Sequence, residues 1–228
     1  MKHRAIYNLL YLLVVLFAGS MQAAEESLAL GDSSEIKMLY FEPRIAVDQP
    51  PLAILVAGGS SNEFMARAQF WMGKELADRG WAVAVPISPD GEGFSAATAT
   101  FFPRMLELIY ESHTLKNEKP LLAGVSSGGS AALEIAALHP ELYLGVVAAP
   151  GRLKDDSELQ QLNGLPVYLR IAEKDIFRWN RRLDEMSTQL VNAGAEVDAA
   201  LVPGARHVFQ LDWENLQIWL NQVQSNPR

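Results

Sequence analysis

The stretch Gly124-Val125-Ser126-Ser127-Gly128 holds a serine between two glycines at the G-x-S-x-G spacing. A serine hydroxyl is a weak nucleophile until a neighbouring base takes its proton. The spacing has a steric meaning. A serine on a sharp strand-to-helix turn adopts strained backbone angles, and side chains two residues to either side would collide. Glycine at 124 and 128 removes that collision, and Gly129 adds room. Pro120 to Val125 reads as a buried strand and Ser130 to Leu138 as a helix rich in Ala and Leu, the context the motif requires. The positive end of that helix would face the place where an oxyanion develops.

A base has to come from one of four histidines. His3 lies in a leader-like N-terminus, His113 at a helix end ahead of the serine strand, and His139 before Pro140 at the far end of the serine helix. His207 remains, in the loop Pro203-Gly204-Ala205-Arg206-His207 after the last strand. An acid must fix the imidazole tautomer. Asp175 follows the apolar run Val167 to Ala172 directly, while Glu173, Asp155 and Asp156 are the other carboxylates in range. An oxyanion needs two backbone N–H donors. Ser127 supplies one, and Gly59, with Ser60 as the alternative, the other, from the loop Gly58-Gly59-Ser60-Ser61. That loop has neither the G-K-[ST] nor the G-x-G-x-x-G pattern of phosphate binding. Isolated histidines and the absence of cysteine imply no metal, and no cofactor is implied.

These residues have to be positioned by the elements between them. Strands are expected at Ile36 to Phe41 (an edge strand), Leu52 to Ala57, Trp81 to Ile87, Pro120 to Val125, Leu142 to Ala149, Pro166 to Ala172 and Val197 to Val202. A helix opened by a Ser60/Glu63 capping box should run to Ala77. Others should span about Thr100 to His113, with Pro103 in the first turn, then Ser130 to Leu138, Arg181 to Val191, and Asp212 (N-cap) to Val223. In the last of these, Trp213, Leu216, Leu220 and Val223 form a stripe that reads as core packing. Alternating strands and helices imply an α/β fold, a mostly parallel sheet with helices on both faces. Ligands of such sheets bind beyond the carboxyl ends of the strands. The turns after Ala57, Val125, Ala172 and Val202 then share one rim. Phe177, Trp179 and Phe209 flank the acid and the base and fit either a pocket wall or the core.

The chain has 228 residues, 49% of them hydrophobic and 20% charged, enough for one globular domain. Residues 1–24 have the layout of a secretory signal peptide: basic Lys2, His3 and Arg4, an apolar run from Leu9 to Ala18, then small residues, with cleavage expected after Ala23 or Ala24. Residues 25–228 would form the single domain, periplasmic or secreted. The formal charge of −8 becomes −10 once Lys2 and Arg4 are removed with the leader. Such an acidic surface argues against nucleic-acid partners and against anionic membranes for the mature form. With no cysteine, disulfides and lipid acylation on a thiol are ruled out.

From about Pro51 to Val223 the chain resembles the α/β-hydrolase superfamily, and within it the small carboxylesterase, dienelactone-hydrolase and polyester-depolymerase branches without a large cap domain. Pro120 to Ser130 and Leu165 to Asp175 carry most of the likeness. The chain order Ser126, Asp175, His207, with the acid one strand before the base, matches that layout and favours Asp175 over the other carboxylates. One departure stands out: many relatives carry His-Gly where this chain has Ala57-Gly58. The longest loop after the fourth predicted core strand, Gly151 to Gly164, is too short for a lid. The resemblance implies hydrolysis of a small-molecule acyl substrate through an acyl-enzyme. A thioester, lactone or peptide substrate, or a non-catalytic periplasmic binding module on the same scaffold, are the alternatives.

Overall fold

Five strands in the middle of the chain are buried along their whole length, so helices must cover both faces of the sheet they form. The computed structural model describes residues 23–31, 34–98, 100–153, 159 and 162–226. Its strands are β1 (Ala24–Gly31), β2 (Ser34–Phe41), β3 (Leu52–Val56), β4 (Ala82–Pro86), β5 (Leu121–Gly124), β6 (Gly145–Ala148), β7 (Pro166–Ala172) and β8 (Glu196–Val202). The helices are α1 (Glu63–Ala68), α2 (Trp71–Asp78), α3 (Phe102–Ser112), α4 (Ser127–Leu138), α5 (Leu183–Asn192) and α6 (Trp213–Ser225). All eight strands join one sheet in the order β1-β2-β4-β3-β5-β6-β7-β8. The pairs from β4 through β8 are parallel, and β2 pairs antiparallel with both β1 and β4.

Alternate residues of each strand feed two cores. Ile54 and Val56 join the side chains of α3, α4 and α5 on one face, while Ala53 and Leu55 join those of α2 and α6 on the other. Leu216, Leu220 and Val223 of the α6 stripe are buried there with Trp219, and Trp213 packs at the margin, so the stripe is core. Asp212 caps α6 by accepting the Asn215 N–H at 3.1 Å. Pro103 lies in the first turn of α3, where its missing N–H costs nothing.

Several boundaries differ from the sequence expectation. The strand expected at the edge, β2, is covered by β1, which periodicity hides because Leu28 is its one buried residue. The helix expected from Ser60 to Ala77 is capped instead by Asn62, whose Oδ1 accepts the Met65 N–H at 3.0 Å, and it breaks at Gln69 and Phe70 into α1 and α2. Helix α4 starts three residues earlier than expected, at Ser127. Strand β6 is shorter at its start because Pro140–Leu142 forms a 3-10 turn, and another such turn, Trp179–Arg182, precedes α5. Among the described residues no helix is long and apolar enough to cross a membrane. Residues 1–22 of the expected leader lie outside the described residues; Ala24 opens β1 and pairs with Tyr40.

Arg170 is a charged residue in an otherwise apolar buried strand. It joins three elements: Nη1 lies 2.9 Å from Asp198 Oδ1 on β8, and Nη2 donates to Asn215 Oδ1 on α6 at 2.8 Å. The guanidinium lies 3.6 Å from the centre of the Tyr168 ring, and Tyr168 OH donates to the same Asn215 oxygen at 2.8 Å. Arg170→Ala should lower the unfolding free energy by about 2–3 kcal/mol, below the loss for a fully buried pair because Asp198 can hydrate. Urea unfolding monitored by tryptophan fluorescence measures it.

Candidate active site

Ser126 is the junction between β5 and α4. Its backbone, at φ 58° and ψ −124°, lies in a region a residue with a β-carbon rarely occupies, a strain of about 1–3 kcal/mol that surrounding structure must hold. The hold is steric. A Cβ added at Gly124 would lie 2.3 Å from the Gly128 carbonyl oxygen, and one at Gly128 only 2.2 Å from that of Val56. Strand, turn and helix therefore meet backbone to backbone. The Ser126 carbonyl accepts the Ser130 N–H at 3.0 Å, which begins the hydrogen bonding of α4.

The other two predicted residues meet Ser126 at this rim. His207 Nε2 lies 2.7 Å from Ser126 Oγ, and its Nδ1 lies 2.6 Å from Asp175 Oδ2. The second carboxylate oxygen, Oδ1, accepts the Phe177 N–H at 2.8 Å. A carboxylate only accepts, so Nδ1 carries the ring proton and the Nε2 lone pair receives the serine O–H. The Asp175 side chain is wholly buried and that of His207 is 11% exposed, which strengthens both bonds by excluding water.

The loops bearing Asp175 and His207 are stitched together. Glu173 N–H donates to the Val202 carbonyl at 3.0 Å and Lys174 N–H to that of Ala205 at 2.9 Å. The Glu173 carboxylate accepts the Gly204 N–H at 2.7 Å, so Glu173 faces the loop that carries His207 while Asp175 meets the imidazole. Asp155 and Asp156, the other rivals, lie outside the described residues. His113 is engaged elsewhere, 3.0 Å from Glu26 Oε2 and stacked on Tyr40, and His139 lies 3.3 Å from Glu141.

Of the three flanking aromatics, two reach the imidazole. The Phe177 and Trp179 rings lie 4.6 and 4.9 Å from its centre, nearly perpendicular to it. Phe177 is 59% exposed and forms an open wall. Phe209 turns the other way and packs with the core beneath α2 and α6.

The loop after β3 crosses close to the serine: a Cβ on Gly58 would come 3.1 Å from that of Ser126. Gly59 adopts φ +62°, which suits glycine, and its carbonyl accepts the Ser127 hydroxyl at 3.2 Å. The N–H groups of Gly59 and Ser127 have no hydrogen-bond acceptor among the described residues. Two contacts here were not legible in the sequence. Gln69 Oε1 accepts the Gly58 N–H at 2.5 Å, and Ser61 Oγ donates to the Ala57 carbonyl at 2.6 Å. Neither residue type nor spacing announces them, because both depend on how the loop folds back on α1. The loop after β4 packs against the same turn through Ser88 N–H to the Ser61 carbonyl at 2.9 Å. In that loop the Glu92 N–H and Ser88 hydroxyl hold the Asp90 carboxyl below its usual range. Among the described residues, no group of His, Asp and Glu could hold a metal ion.

Residues 91–222, more than half of the chain, match the profile of the dienelactone hydrolase family. The chain belongs to the dienelactone hydrolase family. This membership makes it a hydrolase, and the family's matched segment contains Ser126, Asp175 and His207. Solved structures share the fold. A Bacillus cereus carboxylesterase is 16% identical, with 82% of this chain and 94% of that one covered at a TM-score of 0.66. A dienelactone hydrolase from Anabaena variabilis is 17% identical, covering 90% and 96% at 0.65. An acetyl xylan esterase from Aspergillus awamori is 14% identical, covering 87% and 99% at 0.67. No curated protein matches the sequence. Eight strands in this order, six helices and no large cap among the described residues make the scaffold an α/β-hydrolase fold.

Proposed function

We propose that this protein is an exported serine esterase that cleaves its substrate through an acyl-enzyme on Ser126. The observation that carries the reading is the unbroken chain of short hydrogen bonds from Ser126 Oγ through both nitrogens of His207 to Asp175. Carboxylesterases and an acetyl xylan esterase among the structural relatives support an ester as the bond cleaved.

The geometry suits each step. Ser126 Oγ attacks the ester carbonyl carbon as its proton passes to His207 Nε2, and the Asp175 carboxylate stabilises the resulting imidazolium. Negative charge moves onto the carbonyl oxygen. The N–H groups of Ser127 and Gly59, aided by the N-terminal end of α4, receive it. Collapse breaks the bond to the alcohol, which leaves with the proton from Nε2. A water then gives its proton to Nε2, its oxygen attacks the acyl carbon, and the acid departs as the proton returns to Ser126. The exposed Phe177 offers an apolar surface beside the imidazole for one arm of the ester.

Export rests on the leader-like residues Lys2 to Ala24. The intact mass of protein from the periplasmic fraction of a Gram-negative host should correspond to a chain beginning at Ala24 or Glu25. A full-length chain starting at Met1 in the cytoplasmic fraction contradicts export, and one in the membrane fraction contradicts cleavage.

Hydrolysis of p-nitrophenyl acetate and butyrate should be readily measurable. Ser126→Ala should abolish both turnover and labelling by a fluorophosphonate, and Asp175→Asn should lower kcat by about 10³–10⁴-fold with the fold intact. Labelling that persists in Ser126→Ala overturns the assignment of the nucleophile.

A further inference from the structure

Two consecutive glycines, Gly58 and Gly59, carry the loop that faces Ser126. Without side chains such a pair has wide backbone freedom, so something else must fix its peptide planes if one of them is to present an N–H to an oxyanion. Three planes are pinned in succession. In the first, the Ala57 carbonyl accepts the Ser61 hydroxyl at 2.6 Å and the Gly58 N–H donates to Gln69 Oε1 at 2.5 Å. In the second, the Gly58 carbonyl accepts the Ser61 N–H at 3.2 Å. In the third, the Gly59 carbonyl accepts the Ser127 hydroxyl at 3.2 Å. A trans peptide points its N–H opposite to its carbonyl. Holding the Gly58 carbonyl toward Ser61 therefore turns the Gly59 N–H to the other side of the loop, where it has no acceptor among the described residues.

Gln69 is the one side chain in this set that reaches in from outside the loop and its serine neighbour. It is where α1 ends: α1 stops at Ala68, Gln69 takes φ −103° and ψ 14°, and α2 begins at Trp71. The break is anchored by Phe70, whose ring stacks on Phe41 of β2 at 3.6 Å between centroids. Gln69 still closes a helical bond, its N–H donating to the Met65 carbonyl at 2.9 Å, so its place is set by α1. The broken helix leaves the Gln69 amide oxygen on the Gly58 N–H.

We propose that Gln69 is a positioning residue for the oxyanion site, its amide oxygen occupying the Gly58 N–H and orienting the Gly58-Gly59 turn so that the Gly59 N–H faces the reacting carbonyl. This inference rests on the esterase reading of Ser126 and adds to it a residue that touches neither substrate nor the Ser-His-Asp chain. The Gly58 N–H is thereby removed as an oxyanion donor, and the pair of donors is Gly59 and Ser127. Loss of the Gln69 acceptor leaves a buried N–H without a partner and the first of the three planes held by the Ser61 hydroxyl alone. The damage should fall on the transition state, where the Gly59 donor acts, and hardly on ground-state binding.

The test is steady-state hydrolysis of p-nitrophenyl acetate by wild type, Gln69→Met and Gln69→Asn, with Ser126→Ala as control. Methionine keeps the length and lacks the acceptor; asparagine stays polar but falls one methylene short of the Gly58 amide. Each variant should lose about 10- to 100-fold in kcat, with KM within about twofold of wild type. Affinity for phenylboronic acid, which forms a tetrahedral adduct with a nucleophilic serine, should fall in parallel. A folded variant of either kind with wild-type kcat, or with raised KM at unchanged kcat, overturns the role of Gln69. If Gln69→Met does not fold, Gln69→Asn alone carries the test. A wild type without turnover, or with turnover that Ser126→Ala retains, sinks the esterase reading and this inference with it, and is thereby distinguished from a failure of Gln69 alone.

Discussion

The hydrogen bond between His207 Nδ1 and Asp175 Oδ2 decides which imidazole nitrogen faces the serine. With the proton held on Nδ1, the Nε2 lone pair is directed at Ser126 Oγ, the arrangement the proposed nucleophile needs to lose its proton. The neighbouring turn bears on keeping that bond in place. The second carboxylate oxygen is tied to the backbone of the next turn, so the Asp175 side chain cannot swing away. Phe177 and Trp179, carried by the same turn, flank the ring the carboxylate orients.

The sheet supplies what the bond requires. Parallel β5, β7 and β8, with β6 between the first two, end on one rim, which gathers residues 126, 175 and 207 although they are distant along the chain. Backbone bonds from Glu173 to Val202 and from Lys174 to Ala205 make the two loops one unit. On the serine side, glycines at 124 and 128 let strand and helix touch, and that contact holds Ser126 in its strained conformation. The strain is local and strand β5, which bears it, is buried along its whole length, the arrangement expected where a reactive side chain must be exposed on a rigid base.

Much of this was legible because the signals are local. Ser126 lies in a five-residue pattern with a steric rationale, His207 emerged by elimination among four histidines, and the buried strands are continuous apolar runs. What escaped depends on tertiary contacts. Strand β1 has a single buried residue and no apolar rhythm; it is a strand because β2 offers it an edge. The break between α1 and α2 carries no proline and no glycine at 69 or 70, and it arises where Phe70 stacks on Phe41 and Gln69 reaches Gly58. Asn62 displaced Ser60 as the cap because Ser61 turns back onto Ala57, which starts the helix two residues later than a capping box at Ser60 would. Chain order favoured Asp175 over Glu173, and only in space is it visible that Asp175 meets the imidazole while Glu173 faces Gly204.

The most direct measurement is the low-field proton NMR spectrum of the wild-type protein. The account predicts a strongly deshielded imidazole N–H resonance from the proton shared between His207 and Asp175, absent from Asp175→Ala and from His207→Ala. A spectrum without that resonance across the range in which the protein is folded, or one in which it survives in Asp175→Ala, would contradict the hydrogen-bonded chain on which the site depends.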